Sequence, residues 1–237
     1  MSAAQGTFSL GSGVDYSSGK YGVDDATDIV YIPIVGKFET DNWLFKLTVP
    51  YVSVTGPENE VPDGDEDSDQ GDVKTDSGWG DMVATVSYSL INSARTGVIV
   101  DITGKVKFGT ADKAKNLGSG ANDFAGEASV YKIMGKTGLF GTLGYKVFGQ
   151  SIGYEFNNVY YGSVGISQKV GIDSLTSIGV IYDYQQATST LSDPQQIWTA
   201  FLNRKINSKW KAQLYLFTGA GTASPDLGFG TMLSQSF

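Results

Sequence analysis

The chain has 237 residues, a formal net charge of −8 and a pI near 4.5, which excludes the basic surface that a nucleic-acid partner requires. It contains no cysteine and no histidine, so disulfide frameworks, thiolate or imidazole metal sites and histidine-based catalysis are excluded. No apolar run approaches the ~18 residues of a helical membrane span. A barrel crosses a bilayer with alternating strands, which leave mean hydropathy unremarkable, here −0.12.

Met1-Ser2-Ala3-Ala4-Gln5 has neither the basic start nor the apolar stretch of a signal peptide. It reads as the start of a mature chain with a methionine added. From residue 7 onward, alternation of apolar and polar residues dominates. Phe8, Leu10, Val14 and Tyr16 share one face of 7–17, opposite Ser9, Gly11, Gly13 and Asp15. Segments 27–38 and 43–54 alternate less cleanly and contain Pro33 and Pro50. Proline donates no ladder hydrogen bond, so a bulge or strand end is expected near each. In 81–90, Met82, Ala84, Val86, Tyr88 and Leu90 oppose Asp81, Thr85, Ser87 and Ser89. In 97–108, Val98, Val100, Ile102, Val106 and Phe108 oppose Asp101, Thr103, Lys105 and Lys107. Strands follow at 123–134, 138–149, 158–169, 174–185, 196–205, 209–219 and 226–237. No helical period longer than about two turns competes.

The reading is an all-β, single-domain (1–237), twelve-stranded antiparallel up-and-down transmembrane barrel, with residues 1–6 as an N-terminal segment able to face the lumen. Its connections alternate long and short, as in outer-membrane barrels with short periplasmic turns and long extracellular loops. An even strand number then places both termini in the periplasm. Tryptophan and tyrosine concentrate near strand ends, at Trp43, Tyr51, Trp79, Tyr88, Tyr160, Tyr184, Trp198 and Trp210, where interfacial girdles belong. The last strand puts Leu227, Phe229, Leu233 and the terminal Phe237 on one face. Such an amphipathic strand with an open edge suits capture by strand addition, the mode expected of the barrel assembly machinery.

Residues 55–80 read as a long acidic extracellular loop. Glu58 to Asp76 holds nine carboxylates and one lysine. Asp63, Asp65, Asp67 and Asp69 resemble a calcium loop superficially, but the missing glutamate at the twelfth position does not fit an EF-hand. A solvated loop is the plainer reading, and weak divalent binding shared with lipopolysaccharide phosphates the sharper one. Asp101, Lys105 and Lys107, with Glu127 and Lys146 on neighbouring strands, fall on the non-lipid face, since a lipid-facing lysine costs ~2–4 kcal/mol near the midplane. They set selectivity in an open lumen or form a salt-bridged plug in a closed one. Tyr131, Phe140, Phe148, Tyr215 and Phe217 also alternate inward, which suits an apolar ligand better than a sugar. Gly109-Thr110-Ala111-Asp112-Lys113 lacks the glycine spacing, the Lys-Ser/Thr pair and the helix of a phosphate loop.

Several stretches together resemble one family of outer-membrane channels, the meta-pathway phenol-degradation transporters. They are Gly13-Val14-Asp15-Tyr16-Ser17-Ser18-Gly19-Lys20-Tyr21-Gly22, Leu47-Thr48-Val49-Pro50-Tyr51, Ser77-Gly78-Trp79-Gly80-Asp81 and Lys105-Val106-Lys107-Phe108-Gly109-Thr110-Ala111-Asp112-Lys113. Leu117-Gly118, Asn122-Asp123-Phe124, Gly144-Tyr145-Lys146 and Ser224-Pro225-Asp226-Leu227-Gly228 complete them. The resemblance implies a twelve-stranded barrel for uptake of hydrophobic or aromatic compounds, with an N-terminal segment that narrows the lumen. The expectation is a monomeric, cofactor-free, non-enzymatic channel in outer-membrane lipid and lipopolysaccharide, passing small hydrophobic molecules. The alternatives are a lipid-acting outer-membrane enzyme, a general small-solute porin, a structural or adhesive barrel and, as a fold, a soluble lipocalin-like protein.

Overall fold

The computed structural model describes residues 6–22, 24–57, 73–112, 115, 117–150, 156–190 and 192–237. Its strands are β1 Thr7–Gly19, β2 Thr27–Glu39, β3 Trp43–Pro57, β4 Val73–Trp79, β5 Met82–Ser93, β6 Val98–Phe108 and β7 Asp123–Met134. They continue as β8 Thr137–Val147, β9 Val159–Val170, β10 Thr176–Gln185, β11 Gln195–Lys205, β12 Trp210–Ala220 and β13 Leu227–Ser236. Every neighbour pair is antiparallel, and β2–β3 together with β1–β13 close the sheet. Because β3 pairs with both β4 and β5, these two form one stave, and the barrel has twelve.

The two prolines explain the irregularities. Pro33 and Pro50 face each other across an otherwise continuous β2–β3 ladder. On the other side of Pro33, the β1–β2 ladder skips from Ser12↔Ile34 to Asp15↔Tyr31. On the other side of Pro50 lies the β4–β5 break, where Gly80 donates its amide to the Pro50 carbonyl at 2.9 Å. Each missing N–H thus interrupts the ladder on the side it would have served.

The fold is apolar outside. Leu143, Leu216, Val164 and Ile102 are all more than half exposed, whereas among the described residues the buried hydrophobics are only Ala111, Leu117 and Val159. A soluble lipocalin-like barrel would leave that belt in water, an aggregation hazard of large area. The belt is bounded by aromatic pairs. Trp43 and Tyr88 lie 4.7 Å apart at the short-turn rim, and Tyr145 and Tyr160 lie 4.8 Å apart near the opposite rim. No helix among the described residues is long and apolar enough to cross a membrane, and the crossing is made by strands.

Two expectations change. The segment predicted as a loop over 55–80 is largely paired at its ends, with Thr55↔Thr75 and Pro57↔Val73 extending the β3–β4 hairpin beyond the apolar belt. Its alternation fails as a signal because hydroxyl pairs such as Thr55–Thr75, at 2.9 Å, take the place of apolar contacts. β5 runs past Leu90 to Ser93, and because the register with β6 shifts between Ser89 and Ile91, Ile91 and not Leu90 stands opposite Val100, with both side chains exposed. Thr7–Gly19 is a full stave, as the alternation over 7–17 predicts. Asp63, Asp65, Asp67, Asp69 and residues 1–5 lie outside the described residues.

Phe237 extends the seam. Its amide donates to the Phe8 carbonyl at 2.8 Å, its ring lies 6.0 Å from that of Phe8, and it points outward with Phe229 and Leu233.

Candidate functional site: the barrel lumen

Register assigns each lumen residue. Asp101, Thr103, Lys105 and Lys107 of β6 pair with Ser129, Glu127, Ala125 and Asp123 of β7, and Ala125 pairs in turn with Lys146 of β8. The five charged residues expected to face inward therefore share one wall. Lys105 donates to Glu127 at 2.7 Å, and the Tyr161 hydroxyl donates to the same oxygen at 2.9 Å. Lys107 lies 3.0 Å from Asp81 and 3.2 Å from Asp123, and Lys146 lies 3.5 Å from Asp123. Asp101 accepts from Ser89 at 2.6 Å.

This network also fastens the long-connection rim. Lys107 donates to Ser119 at 2.6 Å, Asp81 accepts from the Ala111 amide at 3.0 Å, and Asp123 accepts from the Gly149 amide at 3.1 Å. Leu117 packs against Gly78, whose missing side chain makes the room. Two connections, after β6 and after β8, are thus tied to the rim by one set of charges.

The aromatic residues form the second layer. Tyr131 and Phe140 pair at 6.2 Å, Tyr215 and Phe217 at 6.2 Å, and the Phe148 ring at the rim lies 4.1 Å beneath the Lys146 ammonium. The ring neighbours are glycines. A Cβ added at Gly165 would stand 2.1 Å from Phe140, at Gly228 2.1 Å from Phe217, and at Gly230 2.3 Å from Tyr215. Gly144 serves Tyr161 and Gly179 serves Phe201 in the same way. Each of these five rings packs over a glycine of the adjacent strand, close against the wall of the barrel.

Among the described residues, two cavities along the lumen stand out. The one toward the long connections, about 400 Å³, is lined by Tyr161, Asp183, Gln185, Ile197 and Phe217. The other, about 790 Å³, opens at the short-turn rim and is lined by Asp15, Tyr31 and Tyr215 together with Lys37, Lys46, Lys169, Lys205 and Lys211. Tyr215 donates to Asp15 at 2.7 Å. Phe217 lines one cavity and Tyr215 the other, so the aromatic pair on β12 stands between them.

Of the predicted lumen residues, Asp101, Lys105, Lys107, Glu127, Tyr131, Phe140, Lys146 and Phe148 come together on the β6–β8 side, and Tyr215 and Phe217 stand on β12. The five lysines of the larger cavity were missed. They sit at strand ends whose alternation is poor, and only register reveals that they share a face. Phe201 and Tyr161 were missed too, although each faces a glycine on the adjacent strand.

No protein-family model and no curated protein matches the chain. Among solved structures, the COG4313 outer membrane channel from Pseudomonas putida F1 is similar over 100% of this chain and 97% of its own, with a TM-score of 0.68 at 14% identity. The KdgM porin is similar over 97% of this chain and 99% of its own, with a TM-score of 0.57 at 11% identity. The same porin in complex with disordered oligogalacturonate gives 0.55 at 10% identity, over 98% of this chain and 99% of its own. The chain has the fold of an outer-membrane channel. At such identities the likeness concerns architecture alone, and the strand count and closure agree with what the family resemblance implies.

Proposed function

We propose that this protein is a monomeric, passive outer-membrane channel for small aromatic or otherwise hydrophobic molecules. The observation that carries the reading is the aromatic lining packed over glycines. A structural barrel gains by filling its interior with interdigitated side chains, whereas here Phe140, Phe217, Tyr215, Tyr161 and Phe201 are held against the wall. Ring faces along a narrow path offer an apolar solute repeated, weak contacts, which allows entry without trapping. The twelve-stave girth fits that role, lying between barrels filled by side chains and wide aqueous porins.

In this reading the short-turn rim and both termini are periplasmic, the long connections face the outside among lipopolysaccharide, and the Phe229–Leu233–Phe237 face is both barrel seam and assembly signal. The channel carries no cofactor and performs no chemistry. The test is permeation into proteoliposomes of matched solutes. Benzyl alcohol and phenol are expected to equilibrate faster than glucose or arabinose relative to protein-free vesicles. Ready swelling in sugars together with large open conductance in planar bilayers would replace this reading with a general porin.

A further inference from the structure

The larger cavity presents a charge pattern that a path for neutral solutes does not need. Lys37 is directly opposite Lys46 across β2–β3, and Lys205 is directly opposite Lys211 across β11–β12. Lys169 completes the group from β9, and all five line one space of about 790 Å³. Like charges directly opposite on a sheet destabilise it. None of the five forms an ion pair with any described residue, although the protein as a whole is strongly acidic. Asp15 and Glu39 are the carboxylates that line the same space. Asp15 lies further along β1, at the level of Tyr31, and is engaged by the Tyr215 hydroxyl.

The five lysines therefore outnumber the two carboxylates of the short-turn half of the lumen and stand there without ion pairs to described residues, with Asn203, Gln213 and Ser236 as polar neighbours. Fixed positive charge in a low-dielectric cleft concentrates anions. The rings of Tyr31 and Tyr215 line the same cavity, so it offers an aromatic surface and a cationic rim within one chamber. We infer that the solute carried is an aromatic carboxylate, with its ring on the tyrosine wall and its carboxylate held by the paired lysines of the short-turn rim. This names a substrate class for the channel and rests on the proposed transport reading.

The test is planar-bilayer recording of the whole protein across a potassium chloride gradient, with benzoate as the probe and benzyl alcohol as its neutral counterpart. The reversal potential is expected to show chloride passing in preference to potassium. Benzoate is expected to block the chloride current at concentrations where benzyl alcohol does not. In the K37Q/K46Q and K205Q/K211Q pairs that block weakens several-fold and the reversal potential moves toward zero, whereas K37R/K46R keeps both properties. Heat-dependent mobility on gels confirms that each variant is a closed barrel. Should a glutamine pair fail to fold, the wild-type reversal potential and benzoate block decide alone.

Preference for potassium, or benzoate block that persists unchanged in both glutamine pairs, overturns the inference. Entry of benzyl alcohol into proteoliposomes without any effect of benzoate also overturns it and leaves the hydrophobic channel standing. Exclusion of both probes removes the transport reading as well.

Discussion

Lys105, Lys107 and Lys146, toward the long connections, each reach a carboxylate within 3.5 Å, whereas Lys37, Lys46, Lys169, Lys205 and Lys211 at the short-turn rim reach none among the described residues. The same side chain on the same inner surface thus serves two ends. Paired, it fixes geometry, because Lys107 and its partners bind two connections to the rim. Unpaired and set against its own kind, it costs stability and leaves a field in the lumen. On the proposed reading the difference separates structural from functional charge, and it makes opposite predictions for neutralising mutations.

The largest effect is expected at the paired end. Asp123→Asn removes the carboxylate shared by Lys107 and Lys146, leaving two ammoniums close together on a half-buried wall. Unfolding in urea from detergent micelles should show a loss of about 2–3 kcal/mol, less than for a fully buried pair because the lumen admits water. A variant as stable as the wild type would mean that the network is not what fastens the rim.

A smaller effect follows from filling a glycine that supports a ring. Gly228→Ala places a methyl 2.1 Å from Phe217, so the ring must swing away from the wall. A cost of about 1–2 kcal/mol is expected from such overpacking, together with a lower single-channel conductance. Unchanged conductance would show that Phe217 does not border the path.

At the unpaired end the sign reverses. Replacing Lys37 and Lys46 together with glutamine relieves a cross-strand repulsion, and stability should rise by about 0.2–1 kcal/mol in the same urea titration. A clear loss would place these lysines among the structural charges and dissolve the contrast between the two ends.

The smallest effect lies outside the membrane, in the connection after β10. Asp193 accepts from the Thr222 amide at 3.1 Å and from its hydroxyl at 2.9 Å, which holds the carboxyl below its ordinary value of 3.8. Because the folded value is depressed, this link is fully present above the unfolded value and is lost as pH falls through the folded one. Hydrogen exchange at Thr222 should therefore accelerate only below the usual carboxylate range, and Asp193→Asn should remove that dependence.

Much of the architecture was legible because a barrel stave states its face at every second residue. Phe8 to Tyr16 and Val98 to Phe108 could be assigned without tertiary information, and the count of such segments gave twelve staves, an even number in keeping with the rotation of long and short connections. The paired hairpin end at Thr55 and Thr75 was not legible, since strands beyond the apolar belt have no lipid face to reveal alternation. The lumen was legible only in part. Asp101 and Lys105 could be read as inward because their own strand alternates clearly, while Lys37 and Lys169 belong to strands with weak patterns. Opposition of Lys37 to Lys46 is a property of register, which one strand alone does not encode.

The reversal potential of the unmodified channel across a potassium chloride gradient tests the central claim most directly, since it depends on the net field of the lumen and on no mutation. Unpaired lysines at one end and neutralised ones at the other predict a chloride-selective channel whose selectivity weakens as ionic strength rises. A channel that prefers potassium at low salt would contradict the account.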